Sequence, residues 1–198
     1  MSERPAGVVE RLNKRLTVPL AERLAGVAWI TPDRVTWTSA ACAGLAAPAA
    51  LLAGWPLAAA VLVLAGAWLD SLDGDLARVR GAGSREGEIL DAVLDRYIDF
   101  LLTAALILAA GDCLYWGLAA LLGTQMVPYV RARTEAAGKA SRATFGSRDV
   151  RNLILVAGIA VQQYCLVLAV LAVLTNLSAA HRFYHAVRRT REGGADGG

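Results

Sequence analysis

Long apolar segments separated by short breaks dominate the pattern of hydrophobic and polar positions along the chain. A helix needs roughly 20 residues to cross the hydrocarbon core of a membrane. Breaks in the apolar pattern occur at residues 54–56, 111–112 and 161–164. The pattern therefore predicts six membrane-spanning helices, over residues 34–54, 56–79, 88–110, 113–134, 149–162 and 164–186. The fifth segment is short, and the pattern leaves its boundary with the sixth open.

The two ends of the chain have different patterns. Between residues 5 and 25, apolar residues recur at helical spacing with basic residues between them. This spacing predicts an amphipathic helix that lies on the cytoplasmic membrane surface. Residues 190–198 are rich in glycine and are expected to form a flexible tail. We interpret residues 1–198 as a single all-α integral membrane domain, with a six-helix bundle over residues 34–186.

The composition agrees with a membrane protein. Of the 198 residues, 56% are hydrophobic and only 19% are charged, whereas soluble domains have about 25% charged residues. This excludes an ordinary soluble enzyme, and it excludes a disordered chain. The net charge of +3 gives no reason to expect a nucleic-acid partner. The three cysteines, Cys42, Cys113 and Cys165, are widely spaced and are expected to be small apolar residues inside helices.

The basic residues predict the orientation in the membrane. All 20 Lys and Arg residues lie before or at the start of the first span, around the second-to-third and fourth-to-fifth links, or at and after the end of the sixth span. The three opposite loops contain none of them. The positive-inside rule then places both termini in the cytoplasm. We therefore expect a multi-pass protein of a cell membrane, in contact with membrane lipids.

Four aspartates at the cytoplasmic ends of the second and third spans are the main candidates for chemistry. Asp70 and Asp73 share one helix face, and so do Asp91 and Asp95, because each pair is separated by about one turn. A short link joins the two spans, so that the two faces can converge. Four close carboxylates repel one another unless cations neutralise them, and Mg²⁺ or Mn²⁺ is the usual cation in phosphate chemistry.

Small and basic residues accompany these acids. Gly74, Ala77 and Gly87 leave room for a substrate or a close helix contact. Arg78 lies one turn beyond Gly74 and can hold a phosphate. Two further aspartates lie outside the spacing and are expected to be solvated charges at helix ends: Asp75 and Asp99.

The residues from Asp70 to Asp95 read D-x2-D-G-x2-A-R-x8-G-x3-D-x3-D. This string resembles the signature of the CDP-alcohol phosphotransferase family, which are integral membrane enzymes of phospholipid synthesis. Eight fixed positions across 26 residues make the resemblance specific. The six predicted spans and the amphipathic N-terminal helix also resemble the architecture of that family, so the resemblance covers nearly the whole chain.

The resemblance implies a transfer in which an alcohol hydroxyl attacks the β-phosphorus of a CDP-linked lipid and CMP leaves. It implies that Asp70, Asp73 and Asp91 hold two Mg²⁺ or Mn²⁺ ions. Asp95 would complete the second metal site and act as the general base. The residues expected to contact the CDP-lipid are Asp33, Thr36, Gly74, Ala77, Arg78, Ser84 and Gly87. Asp33 and Thr36 belong to a segment similar to the TPNxxT entry of the family, with Asp33 in place of Asn. Family members are typically homodimers, so a homodimer is expected here.

Three segments bear on the acceptor alcohol, and each resembles members that use inositol phosphate. Arg96 follows the last aspartate, residues 129–135 resemble a SYVKARAE segment, and Arg148 and Arg151 keep the spacing of an ERxER element. A phosphorylated acceptor is a dianion that several arginines recognise. The candidate residues for the acceptor phosphate are Arg131, Arg148, Arg151 and Arg182.

We therefore expect transfer from CDP-diacylglycerol, or its archaeal ether analogue, to inositol 1-phosphate. One alternative is the same chemistry with glycerol 3-phosphate, or with another alcohol such as serine. A different alternative is an ion transporter that uses the aspartates as its cation site. Such sites tend to lie near the membrane midplane between repeated halves, whereas these aspartates lie near helix ends in a chain without an evident internal repeat.

Overall fold

The structure, a computed structural model, describes residues 8–81, 83–139 and 148–192. This part of the chain is 87% helical and contains no strand. A π-helical turn, Ala41–Ala46, joins the second helix to the third. The helices are α1 (Val8–Ala25), α2 (Pro32–Ala40), α3 (Ala47–Leu52), α4 (Pro56–Val79), α5 (Arg85–Ala110), α6 (Leu114–Ala136), α7 (Arg148–Ala160) and α8 (Tyr164–Glu192). They form two compact units, Met1–Leu102 and Thr103–Gly198.

Three segments in the described part of the chain are long and apolar enough to cross a membrane. They are Pro32–Leu52, which comprises α2, the π turn and α3, then α4, and Tyr164–Arg188 of α8. The 13 residues of α7 extend over about 20 Å, which is less than the hydrocarbon core of a bilayer. The first half of α5 carries the acidic residues of the signature. The all-α class is therefore confirmed, and three of the predicted spans meet this criterion.

The helix ends agree closely with the predicted breaks. Gly54 and Gly111 adopt positive φ values of 80° and 69°, which favour glycine at these turns. The largest difference is at the C-terminal end, where α8 continues to Glu192 although a flexible tail was expected from residue 190. Residues 193–198 of that tail, and residues 5–7 of the predicted amphipathic segment, lie outside the described residues.

In the first unit, α1 packs along the half of α4 that carries the signature. Ala21 of α1 is fully buried with Val35, Leu72 and Leu76. The opposite side of α1 exposes Leu16, whose relative exposure is 64%. One apolar face of α1 therefore packs against α4, and the apolar side chain of Leu16 stays accessible.

The π turn lies where the α2–α3 segment crosses α4. Ser39 donates a hydrogen bond from Oγ to the carbonyl oxygen of Gly66 over 2.9 Å. A Cβ atom on Gly66 would lie 2.6 Å from Cβ of Ala43, so only glycine permits this approach. The crossing therefore fixes the α2–α3 segment against α4 beside the signature.

In the second unit, α6 and α8 run parallel. Asn176 of α8 donates from Nδ2 to the carbonyl oxygen of Ala119 on α6 over 2.8 Å. At the beginning of both helices a disulfide joins Cys113 to Cys165, with a Cα–Cα distance of 5.6 Å. The expectation that these two cysteines are separate apolar residues is wrong, because the parallel packing brings together helix starts that are 52 residues apart. Cys42 is a free cysteine.

Candidate active site

Three of the four predicted aspartates form a compact carboxylate cluster in the first unit. Asp70 comes from α4, and Asp91 and Asp95 come from successive turns of α5. One oxygen atom from each of the three carboxylates lies within 4.8 Å of the others. The predicted convergence of the two helix faces is therefore confirmed for these residues.

Asp73, the fourth aspartate, is more deeply buried than the other three. It is 7% exposed, whereas Asp70, Asp91 and Asp95 are each partly accessible. Asp73 lines a cleft next to the carboxylate cluster, and Asp91 lines the same cleft. Asp91 is therefore common to the cluster and to the cleft.

The cleft has a volume of about 140 Å³. Its walls come from α2, α4, the link after α4 and the first turns of α5. The lining residues are Pro32, Asp33, Thr36, Asp73, Gly74, Ala77, Gly83, Ser84, Gly87, Glu88 and Asp91. Six of the seven residues predicted to contact a CDP-lipid are among them. Pro32, Gly83 and Glu88 were not predicted, although each is near a predicted position in the sequence.

Two helix beginnings border the cleft. Thr31 caps α2, since its Oγ1 accepts from the backbone N–H of Arg34 over 3.3 Å. Ser84 precedes α5, and its Oγ accepts from the backbone N–H of Gly87 over 3.0 Å. Helix N-termini favour negatively charged ligands because of their backbone N–H groups and dipoles. Two such ends at one cleft suit a ligand with phosphate groups.

Glycine at position 87 keeps the cleft open. A Cβ atom there would lie 3.2 Å from Oγ of Ser84 and 3.8 Å from Oδ1 of Asp33. A methyl group would therefore occupy space between the two helix beginnings. The sequence prediction that small residues leave room at this point agrees with this geometry.

Arg78, the seventh predicted residue, lies beside the cleft wall. Its side chain is 68% exposed, and Nη1 donates to Oδ1 of Asp75 over 2.5 Å. Nη2 lies 3.7 Å from the position that a Cβ atom would take on Gly74. The guanidinium is therefore anchored at one side and adjoins a cleft residue at the other.

The expectation that Asp75 is a solvated charge is wrong. Asp75 is 3% exposed, because α1 covers it and Thr17 of that helix donates to its Oδ2 over 2.5 Å. No local spacing relates Thr17 to Asp75, which lie 58 residues apart. Asp99 is partly buried as well, with 24% side-chain exposure and an ion pair to Arg96 at 3.3 Å.

The carboxylate cluster fits a hard divalent cation. It offers oxygen atoms alone, and Mg²⁺ and Mn²⁺ prefer oxygen ligands. The three side chains come from two helices, α4 and α5. Asp70, Asp91 and Asp95 can therefore supply ligands to one metal ion, with Asp73 close by on the cleft wall.

The arginines predicted for the acceptor phosphate belong to the second unit. Arg131 is on α6, Arg151 on α7 and Arg182 on α8. Arg131 is exposed and donates from Nε to Oε1 of Glu135 over 2.9 Å, and the other two are partly buried. Arg148 begins α7, and its side chain lies outside the described part of the structure.

Comparisons with known proteins identify the family of this chain. The family model described as CDP-alcohol phosphatidyltransferase matches residues 29–187. The phosphatidylinositol phosphate synthase of Mycobacteroides abscessus is 35% identical, over 88% of this chain and 84% of the relative. The archaetidylinositol phosphate synthase of Methanothermobacter thermautotrophicus is 34% identical, over 73% of this chain and 72% of the relative.

Solved structures of a related enzyme have a similar fold. The Mycobacterium tuberculosis phosphatidylinositol phosphate synthase in complex with manganese and citrate has a TM-score of 0.78 and 28% identity, covering 87% of this chain and 89% of that chain. The same enzyme with CDP-DAG bound has a TM-score of 0.77 and 29% identity, covering 87% of this chain and 94% of that chain. The signature, the fold and the extent of the match agree, and the chain therefore belongs to the CDP-alcohol phosphatidyltransferase family.

Proposed function

We propose that this protein transfers the phosphatidyl-type group of a CDP-linked lipid to inositol 1-phosphate, with release of CMP. The lipid is CDP-diacylglycerol or its ether-linked analogue. One observation carries the proposal: Asp91 belongs both to the carboxylate cluster and to a cleft bordered by two helix beginnings. The names of the relatives and the CDP-DAG-bound structure of the tuberculosis enzyme support the substrates. Family membership makes the chain a transferase rather than an ion transporter.

Residues of the first unit bind the donor, and one of them accepts the proton of the acceptor hydroxyl. Asp33, Thr36, Ser84 and the small residues of the cleft bind the cytidine nucleotide. The acceptor hydroxyl oxygen forms a bond to the β-phosphorus while the bond from that phosphorus to the bridging oxygen breaks. CMP leaves with the bridging oxygen, and Asp95 accepts the hydroxyl proton as general base.

Asp70, Asp73 and Asp91 hold two divalent ions, and Asp95 completes the second metal site. The oxygen-only donor set and the manganese in the related tuberculosis structure support this assignment. When bound, such ions neutralise phosphate charge and orient the reacting groups. The carboxylates therefore serve to position the ions, and the cleft residues serve to position the nucleotide.

The acceptor phosphate binds to the arginines that the sequence predicts for it. Arg131, Arg151 and Arg182 lie on three different helices, and Arg148 begins the α7 helix that carries Arg151. Arginine offers a planar set of donors that matches phosphate oxygens, and a charge-assisted pair is stronger than a neutral hydrogen bond. A neutral acceptor such as serine needs no such residues.

The chain crosses the membrane six times, with the active site on the cytoplasmic side, and it forms a homodimer as resemblance to its family implies. Two independent features support the orientation. The C-terminal parts of α6 and α8 carry Arg131 and Arg182, as the positive-inside rule requires of a cytoplasmic face. Their opposite ends carry the Cys113–Cys165 disulfide, which suits an oxidising compartment outside the cytosol.

Purified protein in detergent tests the function through an acceptor screen. CMP release from CDP-diacylglycerol is measured with Mg²⁺ or Mn²⁺ and with inositol 1-phosphate, glycerol 3-phosphate, serine or inositol. We expect release with inositol 1-phosphate that stops when EDTA removes the metal. A preference for glycerol 3-phosphate would keep the chemistry and change the acceptor, and activity with a neutral alcohol alone would contradict the role of the arginines.

The role of Asp95 is tested with a matched pair of variants. Asp95→Asn is expected to lower kcat by about 100-fold or more, as the loss of a general base does. Glu86→Gln changes an exposed acid on the same helix and is expected to keep wild-type activity. CMP release that is unchanged in Asp95→Asn would contradict the general-base assignment.

A further inference from the structure

The helix α1 reaches the proposed nucleotide site through one buried pair of side chains, and the following inference rests on the proposed function. Thr17 of α1 is fully buried, and its Oγ1 donates to Oδ2 of Asp75 on α4 over 2.5 Å. The other oxygen of Asp75, Oδ1, accepts from Nη1 of Arg78 over 2.5 Å. The carboxylate thus joins α1 on one side to Arg78 on the other.

Arg78 needs such an anchor because most of its side chain is exposed. A long exposed side chain samples many rotamers, and ordering it on ligand binding costs affinity. The bond from Nη1 to Asp75 limits that freedom, while Nη2 stays beside the cleft residue Gly74. Because a guanidinium has five donors in one plane, the anchored group keeps donors for a phosphate.

We propose that Thr17 and Asp75 are positioning residues that hold Arg78 ready to bind the phosphates of the CDP-linked lipid. In this arrangement α1 is part of the support of the active site. The helix α1 packs on α4 and also exposes the apolar side chain of Leu16. The helix that supports Arg78 therefore has an accessible apolar residue. Neither Thr17 nor Asp75 belongs to the signature positions or lines the cleft.

A second α1–α4 hydrogen bond provides a matched control. Asn13 of α1 donates from Nδ2 to Oγ of Ser71 on α4 over 2.6 Å. It lies about one turn before Thr17, joins the same two helices, and involves neither Arg78 nor a cleft residue. Thr17 Oγ1 also lies 3.1 Å from the backbone carbonyl oxygen of Asn13, which Asn13→Ala keeps, so loss of the side-chain bond weakens the docking of α1 and leaves both acceptors of Thr17 in place.

The test uses full-length protein in detergent with Mg²⁺. Three measurements are made: equilibrium binding of CDP-diacylglycerol without acceptor, steady-state kinetics that give KM and kcat with both substrates, and the thermal midpoint. Asp75→Asn is expected to weaken CDP-lipid binding and to raise its KM about tenfold, since a charge-assisted hydrogen bond is lost. The kcat and the KM for the acceptor should stay within about twofold of wild type.

The Thr17 variants separate the hydroxyl from the shape of the side chain. Thr17→Val removes the donor and should raise the KM for the CDP-lipid, whereas Thr17→Ser keeps the donor and should behave as wild type. Asn13→Ala should lower the thermal midpoint and leave that KM unchanged. If Asp75→Asn fails to fold, the Thr17 pair decides, and equal KM values for Val and Ser would overturn the proposal.

A double-variant comparison shows whether the effect passes through Arg78. In an Arg78→Gln background, Asp75→Asn should cause no further loss of CDP-lipid affinity, because coupled residues are not additive. An additive loss, or an increase in KM for Asn13→Ala as large as that for Thr17→Val, would overturn the positioning role. Wild-type protein that neither binds nor cleaves CDP-diacylglycerol would refute the proposed function itself, whereas wild-type turnover with unchanged affinity in Asp75→Asn would refute only this inference.

Discussion

Gly123 of α6 lies so close to Thr175 of α8 that a Cβ atom on the glycine would overlap Oγ1 of the threonine. The same atom would also lie 2.6 Å from Nδ2 of Asn176 and 3.0 Å from its backbone nitrogen. Because a backbone atom is among these neighbours, rotation of a side chain cannot relieve the overlap. The absence of a side chain at this position therefore determines how closely α6 and α8 pack.

Gly123→Ala should destabilise the protein. The additional methyl group forces the two helices apart, and such overpacking costs about 1–3 kcal/mol. A lower thermal midpoint in detergent is the expected result. Gly26→Ala is the matched control, since a Cβ atom there has nothing within 4 Å, and a similar midpoint for both variants would contradict the packing argument.

Asp91→Asn should remove the metal-dependent part of stability. A cation that binds the folded state raises the thermal midpoint, so Mn²⁺ should raise the midpoint of wild type and of Glu86→Gln. In Asp91→Asn this increase should shrink or vanish, because one of the three close carboxylates is lost. An undiminished Mn²⁺ effect would show that the ion binds elsewhere.

Gly87→Ala should weaken binding of the CDP-lipid more than it affects folding. The new methyl group would lie 3.2 Å from Oγ of Ser84 and narrow the cleft. We expect the KM for CDP-diacylglycerol to rise about tenfold, which corresponds to about 1.4 kcal/mol, with a nearly unchanged KM for the acceptor. Steady-state kinetics with each substrate varied in turn would check this, and equal increases in the two KM values would argue against a donor cleft.

The disulfide predicts the number of reactive thiols. Denatured protein that has not been reduced should react with a maleimide at Cys42 alone, and after reduction Cys113 and Cys165 should react as well. Replacing both paired cysteines by serine should lower stability by about 2–4 kcal/mol, whereas Cys42→Ser should have a small effect. Labelling of three cysteines before reduction would contradict the pairing.

The arginines proposed to bind the acceptor phosphate can be tested by substitution, with a neighbouring arginine of α6 as the control. Arg131→Gln, Arg151→Gln and Arg182→Gln should each raise the KM for inositol 1-phosphate about tenfold through loss of a charge-assisted hydrogen bond. Arg133→Gln lies on the same helix as Arg131 and should change this KM little. Equal effects at positions 131 and 133 would indicate a general contribution of positive charge instead of a specific contact.

Local spacing explains why the carboxylate part of the candidate site could be predicted from the sequence, whereas Asp33, Thr36 and Ser84 were implied by the family resemblance. Residues one turn apart share a helix face wherever the helix lies. The shared faces of Asp70 with Asp73 and of Asp91 with Asp95 could therefore be predicted from their sequence positions. The breaks at Gly54 and Gly111 were recognisable because the turns there require positive φ values. The fold class and the neighbourhood of the signature were therefore accessible before any tertiary contact was known.

Contacts between distant helices could not be predicted in this way. The burial of Asp75 depends on where α1 packs, and Thr17 is 58 residues away in the sequence. The pairing of Cys113 with Cys165 depends likewise on the parallel arrangement of α6 and α8. In both cases the contact depends on how two helices are placed relative to each other. The periodic pattern within one helix gives no information about that placement.

Because of the π turn at Ala41–Ala46, the orientation of the α2–α3 segment depends on the number of residues in the turn as well as on their composition. An α-helix turns by about 100° per residue, and a π turn contains an additional residue. Deleting one alanine from this turn would remove the additional residue and restore regular winding, so Asp33 and Thr36 would keep nearly the same orientation relative to Ala47–Leu52. Deleting two alanines would hardly change the hydropathy, yet the cleft-facing edge of the segment would rotate by about 100°. A two-residue deletion in a stretch without any residue assigned to the site can therefore inactivate this protein.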